Sequence, residues 1–230
     1  MKYLKLYEEF GKKIEISNEV FELHTEIKNI GDKNQYEEYL SNIFPNSKVK
    51  DILYHGSPSE RFEKFTKAGE LDGGFFGRGY YFTPSLDLAK EYQKRYKKEG
   101  SLYCVLINLQ NPFYWKDNQV NFIMNTFRDI PKQNIKIDKD WEQGWEKELV
   151  SLYNKTYGEN ISNISDIEFA QDLNNLAKVG TIFLKSKKHD GSIAKNPNSK
   201  KIEYCVFDSD NIYILGSKED IDGFKNFVSN

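Results

Sequence analysis

Gly73-Gly74-Phe75-Phe76-Gly77-Arg78-Gly79-Tyr80-Tyr81-Phe82-Thr83 is the stretch that separates the fold classes open to this chain. Its four glycines allow tight turns and close approach of another group to the backbone. Tyr80, Tyr81 and Phe82 follow as a strand, where alternation turns Tyr81 to one face and its two neighbours to the other. Thr83-Pro84 reads as a helix start, a capping hydroxyl with proline in the first turn. That helix, over 84–98, presents Ala89, Tyr92 and Tyr96 on one face. A dinucleotide-binding glycine loop of the Rossmann kind opens a helix; here a strand follows, so the fingerprint fails. Two readings stay open for the stretch. It is a glycine-rich hairpin packing core aromatics, or a mobile loop beside a slot for a flat ring.

Outward from it, the flanking pattern is that of an α+β domain rather than a doubly wound α/β sheet. Strands are expected at 49–54, 102–109, 113–115, 181–184, 192–194, 202–207 and 211–215. Between them, 119–178 reads as a helical insertion, with apolar sets such as Trp141, Trp145, Leu149 and Leu152 at helical spacing. Ahead of the first strand, Asn18 caps a helix carrying Val20, Leu23, Ile27 and Ile30, with Gly31 as its stop. A second helix starts near Asn34 and ends before Pro45. The expected division is therefore a tail and helical brace over 1–47 and one main domain over 48–230. A last helix, 218–228, closes the chain.

Composition narrows the function classes. At 230 residues the chain can bury a full core without a disulfide or a metal. Cys104 and Cys205 sit inside apolar strand-like runs, as buried thiols suited to a reducing cytoplasm. His24, His55 and His189 are scattered, and no Cys/His spacing fits zinc, so no metal is expected. Basic and acidic residues balance, 33 against 35, which gives no global electrostatic case for nucleic acid. No apolar run approaches the ~20 residues that span a bilayer.

Three positions carry chemistry. His55 follows a strand and precedes Gly56 and Ser57; it is a structural hydrogen bonder or part of a site. Tyr81 is followed eleven positions later by Tyr92 on the helix. Glu203 stands early in an apolar strand, either on an edge facing water or as a costly buried carboxylate.

Tyr54-His55-Gly56-Ser57, then Gly77-Arg78-Gly79-Tyr80-Tyr81-Phe82-Thr83 with Ala89 and Tyr92, then Glu203-Tyr204 before Val206-Phe207, resemble the His-Tyr-Glu ADP-ribosyltransferases. That superfamily includes diphtheria toxin and the poly(ADP-ribose) polymerases, and the local texture is similar to its phage and bacterial members. The resemblance covers about residues 48–215. It implies a split antiparallel β-sheet core around an NAD cleft, with NAD as the substrate. Tyr81 and Tyr92 would sandwich the nicotinamide ring, an arrangement that favours a cationic aromatic group. The Gly56 backbone would pair with the carboxamide, His55 would hold the adenosine ribose, and Ser57 would assist there. Glu203 would bind the 2′-hydroxyl beside the bond that breaks and stabilise the oxocarbenium-like cation. Arg78 would reach the pyrophosphate or stay solvated.

Two departures shape the expected activity. The arginine-modifying branch carries an acidic or amide residue two places before its glutamate; here Lys201 stands there and would repel an arginine acceptor. Where the polymerases carry a serine three places before the second tyrosine, this chain has Ala89. The resemblance therefore implies mono-ADP-ribosylation of a protein acceptor, a host or target-cell factor. An NAD glycohydrolase, modification of nucleic acid and an idle NAD-binding module are the competing readings. The first ten residues, with Leu6-Tyr7-Glu8, resemble the capsid-targeting peptides of T4-like phage head proteins, which would imply carriage in a virion.

Overall fold

The computed structural model describes residues 13–66, 73–74, 76–94, 100–116, 145–162, 171–196 and 199–230. The N-terminal peptide, Tyr96 and the first part of the expected helical insertion lie outside them. In chain order the elements begin with α1 (Asn18–Leu23), α2 (Thr25–Ile30), α3 (Lys33–Ile43), β1 (Leu53–Ser57), β2 (Gly73–Gly74) and β3 (Gly77–Arg78). There follow β4 (Tyr80–Phe82), α4 (Leu86–Gln93), β5 (Ser101–Ile107), β6 (Phe113–Tyr114), α5 (Trp145–Tyr157) and α6 (Gln171–Ser186). The last are β7 (Gly191–Lys195), β8 (Ile202–Val206), β9 (Ile212–Ile214) and α7 (Lys218–Ser229). The class is α+β, as the pattern predicts.

The chain forms two compact units, each with its own core. The first takes in Met1–Thr66, Phe82–Gln110 and Ser209–Asn230. Its antiparallel sheet runs β1-β5-β9, with Leu53 opposite Val105 and Val105 opposite Ile214. The apolar faces of α1–α3 and α7 (Val20, Ile27, Tyr36, Leu40 and Phe224 among them) share a core with Leu106 and Leu215. A capping box starts α3, the Asp32 carboxylate accepting from Gln35 N and the Gln35 amide oxygen accepting from Asp32 N.

Four local expectations shift in this unit. Helix 18–30 is broken at His24 (φ −101°, ψ 75°), and Ser17, not Asn18, caps its first half. The His24 ring lies where a Cβ on Gly216 would stand 2.2 Å from Nδ1, so the break seats the ring on a glycine. The first strand is Leu53–Ser57 rather than 49–54, so His55 lies within it. Ladder pairing with Ser101–Val105 decides the register. Lys50 is instead buried with its ammonium donating to the Phe44 and Pro45 carbonyls beyond α3. The glycine-loop helix starts at Leu86, because Ser85 Oγ accepts from Leu88 N while the Thr83 backbone bridges to Tyr54.

The second unit takes in Lys67–Tyr81 and Asn111–Asp208. Its sheet runs β4-β8-β7-β6, with β7 antiparallel to β8 and β6 parallel to β7. The β2–β3 hairpin and α6 cover Cys205 and Phe207 in a core with Phe76, Tyr153, Val179 and Phe183. The strand expected at 181–184 is the last part of α6. Its β-branched residues are overridden by tertiary packing: Val179, Phe183 and Leu184 are buried, and Thr181 Oγ1 donates to Ala177 O one turn back. Among the described residues no helix is long and apolar enough to cross a membrane.

Candidate active site

Each unit holds part of the expected residue set. In the first unit, His55 lies half-buried on β1 among the rings of Phe65, Phe82 and Tyr103, with centroids at 5.1, 5.5 and 6.0 Å. Phe65 and Tyr103 are themselves buried, so the imidazole has a rigid aromatic surround.

Gly56 is required here for a reason the sequence did not reveal. A Cβ at this position would stand 1.8 Å from the Ala89 carbonyl oxygen and 2.7 Å from Gln93 N, so only glycine lets α4 lie on β1. Ala89, 1% exposed, is part of that packing. The Gly56 backbone has a second consequence. Tyr54 N donates to Thr83 O, and Thr83 N donates to Tyr54 O, so the peptide groups of Tyr54 point away from β5. Two residues on, antiparallel alternation turns the N–H and C=O of Gly56 the same way. Ser57 is buried and its hydroxyl accepts from Ser59 N at 3.2 Å, which makes it a turn-former at the end of β1. Tyr92, on α4, is 37% exposed, unusual for a large ring among the described residues.

On β4, at the edge of the second unit's sheet, the alternation is as the sequence predicts: Tyr80 and Phe82 are buried and Tyr81 is only partly so. The Tyr81 hydroxyl donates to Gly77 O at 2.6 Å and accepts from Phe76 N at 3.1 Å. It thereby ties the glycine hairpin to β4. Gly74 rests on the phenol end of the ring, where a Cβ would come within 2.2 Å of Cζ. Burial raises the Tyr81 hydroxyl pKa, and neighbouring Cys205 adds to the shift. The Cys205 thiol, fully buried, is itself pushed up to about 12 by desolvation, so it is no nucleophile. Arg78 is anchored through its backbone, its N–H donating to Thr181 Oγ1 at 2.6 Å.

Glu203 is 7% exposed, which excludes the edge strand facing water. On β8 it alternates with buried Tyr204 and so shares a face with Cys205, against which Tyr81 lies. The structure thus brings Tyr81 and Glu203 to one face of one sheet. Burial raises the carboxyl pKa, and a hydrogen bond from Asn196 opposes it. That bond runs from Asn196 Nδ2 to Glu203 Oε1 at 2.7 Å. Sequence reasoning missed Asn196. The available signal is hairpin register: Ala194 pairs with Glu203, so Asn196 is the diagonal neighbour on the same face. His189, by contrast, is spoken for: Nδ1 lies 3.0 Å from Asn111 O, and the ring packs edge-on against Phe113.

Among curated proteins none matches the sequence. Four chains of solved structures do, one of them described as "Crystal structure of an anti-CRISPR protein". That match has 14% identity and a TM-score of 0.33 and covers 71% of this chain and 94% of the other. A family model described as "ADP-Ribosyltransferase in polyvalent proteins" matches residues 50–215, a span holding every one of the residues placed above. The chain accordingly belongs to this ADP-ribosyltransferase family.

Proposed function

We propose that the protein is a mono-ADP-ribosyltransferase of the His-Tyr-Glu type, which takes NAD as donor and a protein as acceptor. The observation that carries this reading is Glu203. A carboxylate taken out of water is expensive, and the one amide bond Glu203 accepts, from its own hairpin, is a small return for burying it on β8 beside a tyrosine. A reaction that develops positive charge next to it gives the burial a reason.

In the reaction, the bond between ribose C1′ and nicotinamide N1 breaks and its electron pair leaves with nicotinamide, which becomes neutral. Positive charge builds on C1′ and the ring oxygen. Ionised Glu203 accepts a hydrogen bond from the adjacent 2′-hydroxyl and stabilises that cation. A lone pair of the acceptor then attacks C1′, and the acceptor's proton passes to solvent. The N–H and C=O of Gly56, turned to the same side of β1, supply the donor–acceptor pair that a carboxamide needs. Tyr81 and Tyr92 supply ring faces for nicotinamide, His55 a hydrogen bond to the adenosine ribose, and Ser57 stands next to it. Lys201, exposed two residues before Glu203, disfavours a cationic arginine acceptor and leaves other side chains open.

Adenylate-labelled NAD, incubated with the protein and a cell lysate, tests this. Label is expected in material that protease digests and nuclease does not, and to vanish with Glu203→Gln. Label transfer by Glu203→Gln at the wild-type rate would overturn the chemistry; free ADP-ribose alone would make water the acceptor.

A further inference from the structure

We propose that Asn196 is a positioning residue for Glu203, its side-chain amide fixing Oε1 of the carboxylate so that Oε2 is kept for the ribose hydroxyl. This rests on the reading of Glu203 given above.

The geometry is built from both ends of the asparagine. Its Oδ1 accepts from Ser199 N at 3.2 Å, which settles the amide orientation and leaves Nδ2 to face Glu203. Its backbone is held as well: Asn196 N donates to Lys201 O, and Lys200 N donates to Asn196 O, both at 2.8 Å. Lys200 takes a left-handed conformation (φ 58°) to make that return. An asparagine held at three atoms other than its Nδ2 cannot follow a wandering carboxylate, so the carboxylate follows it. Among the described residues Asn196 is the one side-chain donor to Glu203. A hydrogen bond to the charged form favours ionisation, so the same amide works against the burial that keeps the acid protonated.

A turn-closing role for Asn196 predicts something different, and aspartate separates the two. Asn196→Asp keeps an oxygen for Ser199 N and so preserves the turn. It removes the donor and sets a second carboxylate beside Glu203. Nicotinamide release from NAD, followed as a function of pH, is the readout. In Asn196→Ala the acid limb of kcat is expected to move to higher pH. In Asn196→Asp it should move further, with kcat at neutral pH reduced tenfold or more, partial recovery at alkaline pH, and KM for NAD within about twofold of wild type. Thermal unfolding verifies that each variant is folded; should Asn196→Asp fail to fold, the limb of Asn196→Ala decides by itself. Wild-type limbs in the folded variants overturn the proposal. Glu203→Gln run alongside separates the levels: if it is inactive while the Asn196 variants keep the wild-type profile, only the positioning role fails. If Glu203→Gln is fully active, the underlying reading fails.

Discussion

Asp220 and Glu203 are both buried carboxylates, one in each unit, and the fold treats them differently. Asp220 sits in the first turn of α7, where the helix N-terminus favours negative charge. Its Oδ2 accepts from the Tyr36 hydroxyl at 2.6 Å and from Gly216 N at 2.7 Å. It therefore ties α3 to the β9–α7 turn across 184 residues of sequence. Glu203 lies in a strand, has one amide donor, and ties together only the two ends of a hairpin. Burial raises both carboxyls, Asp220 to about 6. One carboxylate is explained by what it holds in place. The other is left with its desolvation and a single amide donor from its own hairpin, so what it holds in place does not account for it.

Glu203→Gln is the strongest way to break the contrast. Nicotinamide release should fall by about 10²–10³-fold or more, the size of losing a main electrostatic stabiliser. Melting temperature should hold or rise, since a desolvated charge is removed. A melting temperature lowered as far as that of an Asp220 variant would erase the distinction.

Asp220→Ala should do the reverse. It leaves the Tyr36 hydroxyl and Gly216 N without their acceptor, and about 3 kcal/mol of stability should be lost in urea unfolding. Turnover by the folded fraction should be unchanged. The pH dependence follows from the direction of the shift. With its folded pKa raised from 3.8 to about 6, Asp220 binds its proton more tightly in the folded state. Its contribution is thus fully present below pH ~4 and is lost as pH rises towards 6, by about 3 kcal/mol. The stability difference between wild type and Asp220→Asn should shift in favour of the variant over that window; a difference independent of pH would refute the linkage.

Gly56→Ala sharpens the first unit's side of the comparison. Its Cβ meets the Ala89 carbonyl, so α4 must move, at about 1–3 kcal/mol in chemical denaturation. A neutral substitution would mean that α4 does not rest on β1 in solution. The smallest effect is expected from Tyr81→Phe, which removes the bonds to Phe76 N and Gly77 O but keeps the ring. About 1 kcal/mol of stability should go, with little change in KM for NAD. Tyr81→Ala should weaken NAD binding more than Tyr80→Ala, because Tyr80 is buried at 7% exposure.

Elements with a strong local signature were legible. Alternation in Tyr80-Tyr81-Phe82 and the apolar run of β5 follow the pleat. Local signals misled where distant partners decide. Thr181–Leu184 has strand propensity, yet Thr181 bonds one turn back and Val179 and Phe183 fill a core with Phe76 and Cys205. β1 shifted by several residues because its register is set by β5, nearly fifty positions later.

By itself the sequence determined the α+β class and, through residues 50–215, membership of an ADP-ribosyltransferase family. These depend on residue identity and short-range periodicity, which a chain carries before it folds. Tertiary structure alone decided that Glu203 is buried, that Asn196 holds it, and that Gly56 is a glycine because α4 lies on it. Burial, hairpin diagonals and helix-on-strand clearance are relations between residues far apart in sequence, and they exist only once the cores have closed.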